Sequence, residues 1–270
     1  MQKSTCIQLK DFSITAENHI CFINLSSPST KNAISFETAT HLKNILVVNP
    51  TTKTCTFEDF LSKEGVVLLV LQSEVEGIFS SGGNLTEFRD AKKETNLDYG
   101  RSVGQFCKFL NTNLIPSIAI LEGNAYGGGS ELALAPDFRW GIGNKIEFHF
   151  VQTRLGVPGG WGGMSRLSDL CPHLSMKKVN SIFMAREVLK YPDLEKMNLI
   201  DKSFLDKSSC LRELNRWRDS ILACGTNLRD DFAKRLQYAG EELEKYDEKF
   251  FEKYFLTENH KKNILGFFKK

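Results

Sequence analysis

Residues 117–135 read SIAIL-EGNAYGGG-SELALA: a five-residue apolar run, a glycine-rich turn, then a helix-compatible segment. The run predicts a buried strand, and the segment from Ser130 onward predicts a helix. Gly127, Gly128 and Gly129 therefore fall at a strand-to-helix turn, where the first N–H groups of a helix have no intrahelical partner. The run matches neither G-x-G-x-x-G nor G-x-x-x-x-G-K-[ST], and no lysine follows for a nucleotide phosphate, which disfavours a dinucleotide or ATP site. Ser130 and Ser165 lack the flanking pattern of a nucleophile elbow, and no histidine is placed by the sequence to activate them, so a serine hydrolase is disfavoured too.

Working outward, Ile20–Leu25 (ICFINL) and residues 66–71 (VVLLVL) predict two further buried strands, each followed by a loop and a helix-like segment. Strands alternating with helices suggest an α/β core. The loop FSSGGNL at 79–85 offers Gly83 as a second backbone donor. Where the side chain is missing, a ligand carbonyl can approach the N–H groups of Gly128 and Gly83. Two such donors aimed at developing charge form an oxyanion hole, each worth about 2 to 4 kcal/mol. The other reading, that both glycine runs are tight turns, is the more common fate of glycine pairs. A further glycine-rich stretch, GVPGGWGG at 156–163, precedes a helical pattern. Residues 44–65 are polar, carry Asn49-Pro50 as a turn signal and read as a surface excursion. Beyond about Thr226 charged residues alternate with Leu236, Tyr238, Leu243, Tyr246, Phe250, Phe251, Tyr254 and Phe255 at helical spacing. The expected organisation is a core at 1–200 and a helical C-terminal region at 201–270 whose aromatic face is a packing surface.

The chain of 270 residues is 41% apolar, enough to bury a sizeable core. Its 35 basic and 33 acidic residues are nearly balanced, which argues against gripping a nucleic-acid backbone. No stretch approaches the roughly 20 apolar residues needed to cross a bilayer, and the start MQKSTCIQLKDFSI lacks the apolar core of a signal peptide. The expectation is a soluble, cytoplasmic protein with no membrane or nucleic-acid partner. Seven cysteines are scattered without a C-x-x-C pair, and the five histidines show no H-E-x-x-H pattern. No metal is expected.

Three segments in order, FSSGGNLTEF, EGNAYGGGSELALAPDF and FHFVQTRLGVPGGWGGMSRL, resemble the enoyl-CoA hydratase/isomerase (crotonase) family. The likeness extends to Lys31-Asn32-Ala33-Ile34 upstream and through Ala185 to Asp201 downstream. It implies a crotonase (ClpP-like) spiral of ββα units with a helical C-terminal trimerisation region, a homotrimer or hexamer, and an acyl-CoA thioester as substrate. No separate cofactor is implied, since coenzyme A is part of the substrate. Carried over position by position, the oxyanion donors fall on Gly83 and Gly128 and the first acid/base glutamate on Glu131. Lys31, Ala33, Ser81, Asn84, Leu85, Tyr126, Gly127 and Trp161 then fall on the substrate-binding positions, with Trp161 on the acyl-pocket wall, where its bulk suggests a short acyl group.

The sequence departs from the family pattern at the second glutamate, where it has Gln152. An amide cannot exchange a proton at neutral pH, and hydration by two carboxyls around one water loses about 10²–10⁴ in rate without one of them. Decarboxylation of a malonyl-type thioester needs only an oxyanion hole and one proton donor, because loss of CO₂ generates the enolate directly. Asp137-Phe138-Arg139, Lys145-Ile146, Trp161-Gly162-Gly163 and Arg166-Leu167 resemble the ethylmalonyl-CoA decarboxylase branch. The expectation is a lyase, with decarboxylation slightly ahead of enoyl-CoA hydration or isomerisation; a non-catalytic acyl-CoA binder is the alternative. Arg139 and Arg154 are candidates to meet a substrate carboxylate, beside the commoner roles of arginine in solvent or subunit contacts. Cys107 and His149 are read as structural.

Overall fold

A computed structural model describes residues 4–51 and 54–228, with single positions beyond (Asp231, Lys249, Lys253, Thr257, Glu258 and Lys262). It divides into compact units Met1–Arg218 and Asp219–Lys270. The eight apolar positions from Leu236 to Phe255 expected on a C-terminal helix lie outside the described residues.

Along the chain, β1 (Ser4–Gln8), β2 (Phe12–Glu17), β3 (Ile20–Leu25) and β4 (Ala33–Ile34) lead to α1 (Phe36–Ile45) and α2 (Thr56–Lys63). Then come β5 (Leu68–Ser73), β6 (Gly77–Ser80), β7 (Gly82–Gly83), α3 (Leu85–Asp90) and α4 (Lys93–Thr112). Next are β8 (Ser117–Leu121), β9 (Gly123–Tyr126), α5 (Gly128–Ala133), β10 (Phe138–Ile142) and β11 (Glu147–His149), then a 3₁₀ turn, Gln152–Leu155. The remainder is α6 (Gly163–Leu170), α7 (Met176–Met184), β12 (Val188–Lys190), α8 (Tyr191–Lys196), β13 (Lys202–Phe204) and α9 (Lys207–Ala223).

The described strands form a main sheet in the order β1-β2-β3-β5-β8-β10-β13, a smaller one in the order β12-β11-β9-β6, and the pair β4-β7. β1 to β3 pair antiparallel, and from β3 to β13 the main sheet is parallel. The repeat is visible in the order: β5 then β6, β8 then β9 and β10 then β11 each put one strand in the main sheet and the next in the smaller one before the chain turns into helix. β6, β9 and β11 are neighbours running parallel, so their C-terminal ends share one edge.

The apolar runs become strands because both faces of the central sheet are covered. Leu68 to Leu71 and Ser117 to Leu121 are buried at every position, as expected of parallel strands packed on two sides. Ile20–Leu25 and Ser117–Leu121 occupy the ranges read from the sequence, and the run at 66–71 enters its strand two residues later. Residues 44–65 are more than a surface excursion. α2 lies within them, and its Phe57, fully buried, packs on Phe109 and Phe106 of α4 at ring separations of 5.1 and 6.4 Å. Period-3.6 placement of Phe57 and Leu61 in an otherwise polar segment produces this anchor.

Arg139 does not face a ligand. Its guanidinium, 1% exposed, donates to the carbonyls of Leu199 (3.0 Å), Pro136 (2.9 Å) and Asp137 (3.1 Å) and to the Asp201 carboxylate (3.0 Å), tying β10 to the segment before β13. A buried cation is tolerated because each of its three nitrogens donates a hydrogen bond and a carboxylate lies against it. Arg154 is exposed in the 3₁₀ turn. Replacing Arg139 with Leu should cost about 3 kcal/mol or more, since three carbonyls lose a guanidinium donor and Asp201 keeps only the backbone N–H of residue 139. Urea denaturation measures it, and a loss under about 1 kcal/mol would contradict a structural role for this residue.

Candidate functional site

The three glycine-bearing segments meet at the shared edge of β6, β9 and β11. In open parallel sheets this is where loops leave the strand ends and ligands bind. Between Ile78 and Ser80 the pairing of β6 with β9 slips by a residue, a bulge that turns the chain into β7. Gly129 then lies so close to this turn that an added Cβ would come 2.1 Å from the Ser80 carbonyl oxygen. At Gly82, where φ is +87°, an added Cβ would lie 2.9 Å from the Gly128 nitrogen and 3.0 Å from the Gly129 nitrogen. The backbone preceding Gly83 and the first amides of α5 are thus in direct contact, which only glycine allows.

Upstream, Lys31 and Asn32 both have positive φ (55° and 57°). This reversal lays Ala33 and Ile34 beside Gly82 and Gly83. Ser81 donates its N–H to the Lys31 carbonyl (2.9 Å) and its hydroxyl to the Thr30 carbonyl (2.8 Å), and the Asn84 amide donates to Ile34 (3.2 Å). Asn32 is the hub that the sequence reading passed over. Its side chain accepts from Ser27 N (2.7 Å) and donates to Ser73 Oγ (2.7 Å) and the Phe79 carbonyl (3.0 Å), while its carbonyl accepts from Ser80 Oγ (2.8 Å). The sequence signal was an asparagine, the non-glycine residue most at ease in the left-handed region.

Glu131 is 2% exposed. Its carboxylate accepts from four N–H donors: Gln152 Nε2 (3.2 Å) and the backbone amides of Gly160 (3.3 Å), Trp161 (3.0 Å) and Gly163 (2.9 Å). The loop closes this tightly because Gly159 and Gly163 have no Cβ; added ones would come 2.7 and 2.4 Å from Glu131 atoms. Below the loop the buried Arg166 donates Nη2 to the carbonyls of Glu131 (3.3 Å) and Trp161. Gln152, 6% exposed, spends its amide on Glu131, and among the described residues its Oε1 is buried with no hydrogen-bond partner. Burial pushes the nearby Cys107 thiol up to about 12, so it holds no thiolate at neutral pH.

The indole of Trp161 covers Gly128: an added Cβ there would meet its six-membered ring at 2.8 Å. Tyr126 turns the other way and stacks on His149 at 4.3 Å, while the His149 carbonyl accepts from Gly127 N (2.8 Å) and Val151 N (3.0 Å). His149 thereby steadies both the glycine run and the segment carrying Gln152. The structure brings together Gly83, Gly127, Gly128, Glu131, Gln152 and Trp161, with Ala33, Ser81 and Asn84 on the adjoining ladder. Leu85, 54% exposed, and the exposed Lys31 side chain stand at the rim, outside this cluster. Phe88, the last residue of the FSSGGNLTEF segment, and Tyr99, which lies in no quoted motif, were given no role from the sequence, and they reach the Gly83 side of the site from separate helices.

The enoyl-CoA hydratase/isomerase family model matches residues 15–270, and the chain belongs to that family, the crotonase superfamily. A probable mitochondrial enoyl-CoA hydratase 2 from Arabidopsis thaliana is 32% identical over 64% of this chain and 53% of its own length. Ethylmalonyl-CoA decarboxylase from Bos taurus is 27% identical over 75% of this chain and 62% of its own length. The matches thus span between half and two thirds of these relatives. Among solved structures, enoyl-CoA hydratase from Bacillus anthracis aligns over 96% of both chains at 18% identity with a TM-score of 0.73. The α/β architecture is the crotonase fold. No helix among the described residues is long and apolar enough to cross a membrane.

Gly129→Ala tests the loop contact on which the cluster stands. Backbone cannot yield as a flexible side chain can, so about 2 kcal/mol or more of stability should be lost, read as a lowered thermal midpoint. An unchanged midpoint would mean that the two loops do not touch.

Proposed function

We propose that this chain is an acyl-CoA lyase in which the N–H groups of Gly83 and Gly128 hold the oxygen of a thioester enolate. Glu131 exchanges the proton, and Gln152, through its free Oε1, holds a water or a substrate donor group. Within that chemistry, decarboxylation of a short malonyl-type acyl-CoA is slightly favoured over hydration of an enoyl-CoA. The observation that carries the choice is the partner of Glu131: the side chain hydrogen-bonded to its carboxyl is an amide, Gln152. Two-carboxyl hydration needs a second proton-exchanging group there, whereas decarboxylation does not. The bond from the α-carbon to the carboxylate breaks, CO₂ leaves, and the electron pair moves to the carbonyl oxygen facing the two amides. A proton delivered through Glu131, or from a water on Gln152, then goes to the α-carbon.

Hydration is the second reading, favoured by the unpartnered Oε1 of Gln152, which is suited to accept from a water. A non-catalytic acyl-CoA binder is the third, favoured by the four donors that already occupy the Glu131 carboxylate. A homotrimer or dimer of trimers in the cytoplasm belongs to the same proposal.

Assaying CO₂ release and water addition over a panel of malonyl-type and enoyl-CoA thioesters separates the reactions, and turnover confined to enoyl-CoA would end the decarboxylase reading. Gln152→Glu should raise hydratase activity if the missing carboxyl limits it. Glu131→Gln should lower turnover by about 10²–10⁴ with CoA binding retained. Its failure to change any measurable rate would leave the binder.

A further inference from the structure

Arg139 and Arg166 are the two buried arginines among the described residues, and their charges are met differently. Arg139 has the Asp201 carboxylate against it. Arg166, 8% exposed, has no carboxylate within ion-pair reach among the described residues, and its Nε is buried without a hydrogen-bond partner. The side chain runs back from the first turn of α6 beneath the 159–163 loop, the direction long helical side chains take. Its Nη1 is so near Gly162 that an added Cβ there would lie 3.0 Å from it.

Nη2 donates to the carbonyls of Glu131 (3.3 Å) and Trp161. The Glu131 carbonyl is open to it because α5 is short: the residue 135 amide, which a longer helix would turn toward it, donates to Leu132 instead. Trp161 is also the residue whose N–H donates to the Glu131 carboxylate (3.0 Å). Its backbone therefore stands between the two groups, N–H toward the anion and C=O toward the cation, an arrangement in which each hydrogen bond strengthens the next. Cys107 lies beside both charges, but burial outweighs them and keeps its thiol protonated, so it brings no negative charge.

We infer that Arg166 is a positioning residue for the proposed reaction: its guanidinium offsets the buried charge of Glu131 through the Trp161 backbone and fixes where that carboxylate stands. A buried cation and a buried anion are each costly alone, and neither has a direct ion partner here. The effect on turnover rests on the acyl-CoA reading above; the coupling of the two charges does not.

The test of the coupling is a double-substitution cycle of Glu131→Gln and Arg166→Gln, read as thermal midpoints. Glu131→Gln removes the charge but keeps the backbone carbonyl that Arg166 holds. It should lower the midpoint less in the Arg166→Gln background than in the wild-type one, because it no longer strands a buried cation. Equal or larger losses overturn the inference. Should Arg166→Gln not fold alone, its folding once Glu131→Gln is added supports the coupling, and failure of the pair overturns it. On the thioester panel above, Arg166→Gln should lower kcat about 10²-fold with KM and coenzyme A binding retained, and Arg166→Lys, which restores the charge, should recover most of the loss. A lysine variant as impaired as the glutamine one, or coenzyme A binding lost together with turnover, overturns the positioning role. Coupled midpoints in a protein that turns over no thioester fail the catalytic reading and leave the charge pairing standing.

Discussion

The buried carboxylate of Glu131 is the constraint around which the functional end of this molecule is organised. A negative charge taken out of water is costly unless hydrogen-bond donors replace its hydration. Here three donors come from the backbone of one loop and the fourth from Gln152. Meeting that demand draws the 159–163 loop down onto α5. The loop in turn carries Trp161 onto Gly128, and its glycines are explained by the carboxylate they wrap.

The second organising fact is a close approach of backbones. Ser80 and Gly129, and Gly82 and Gly128, are near enough that no side chain fits between them. Parallel pairing of β6, β9 and β11 aligns the strand ends, the bulge at Ser80 swings β7 inward, and Asn32 pins the preceding loop through bonds from both its side chain and its carbonyl. Glycine here is a matter of space, and at Gly82 also of a left-handed φ. These contacts fix where the two loops meet, while Phe88, Tyr99 and Trp161 pack against the same glycines from outside the backbone.

The likeness to hydratases and to a decarboxylase is compatible with this division of labour. On the function proposed above, a backbone cradle would serve any reaction that passes through a thioester enolate, and the groups beside Glu131 would select among them. In this chain that neighbour is an amide whose oxygen is buried without a partner.

Much of the scaffold was legible in the chain itself. Continuous apolar runs mark strands covered on both faces, and Ile20–Leu25 and Ser117–Leu121 come out where the pattern puts them, because burial on two sides favours apolar side chains; the polar exceptions, Asn24 and Ser117, are hydrogen-bonded. The glycine runs, Glu131 and the substitution at Gln152 were equally readable, since each lies in a contiguous motif. Other features were decided only in three dimensions. The hydrogen-bonded guanidinium of Arg139, the anchoring of Phe57 on α4, the Asn32 hub and the ring contacts of Phe88, Tyr99 and Trp161 join residues from separate elements. A sequence records which side chains exist and how they repeat; which of them touch is set by the packing of sheets and helices, and no local pattern encodes that distance.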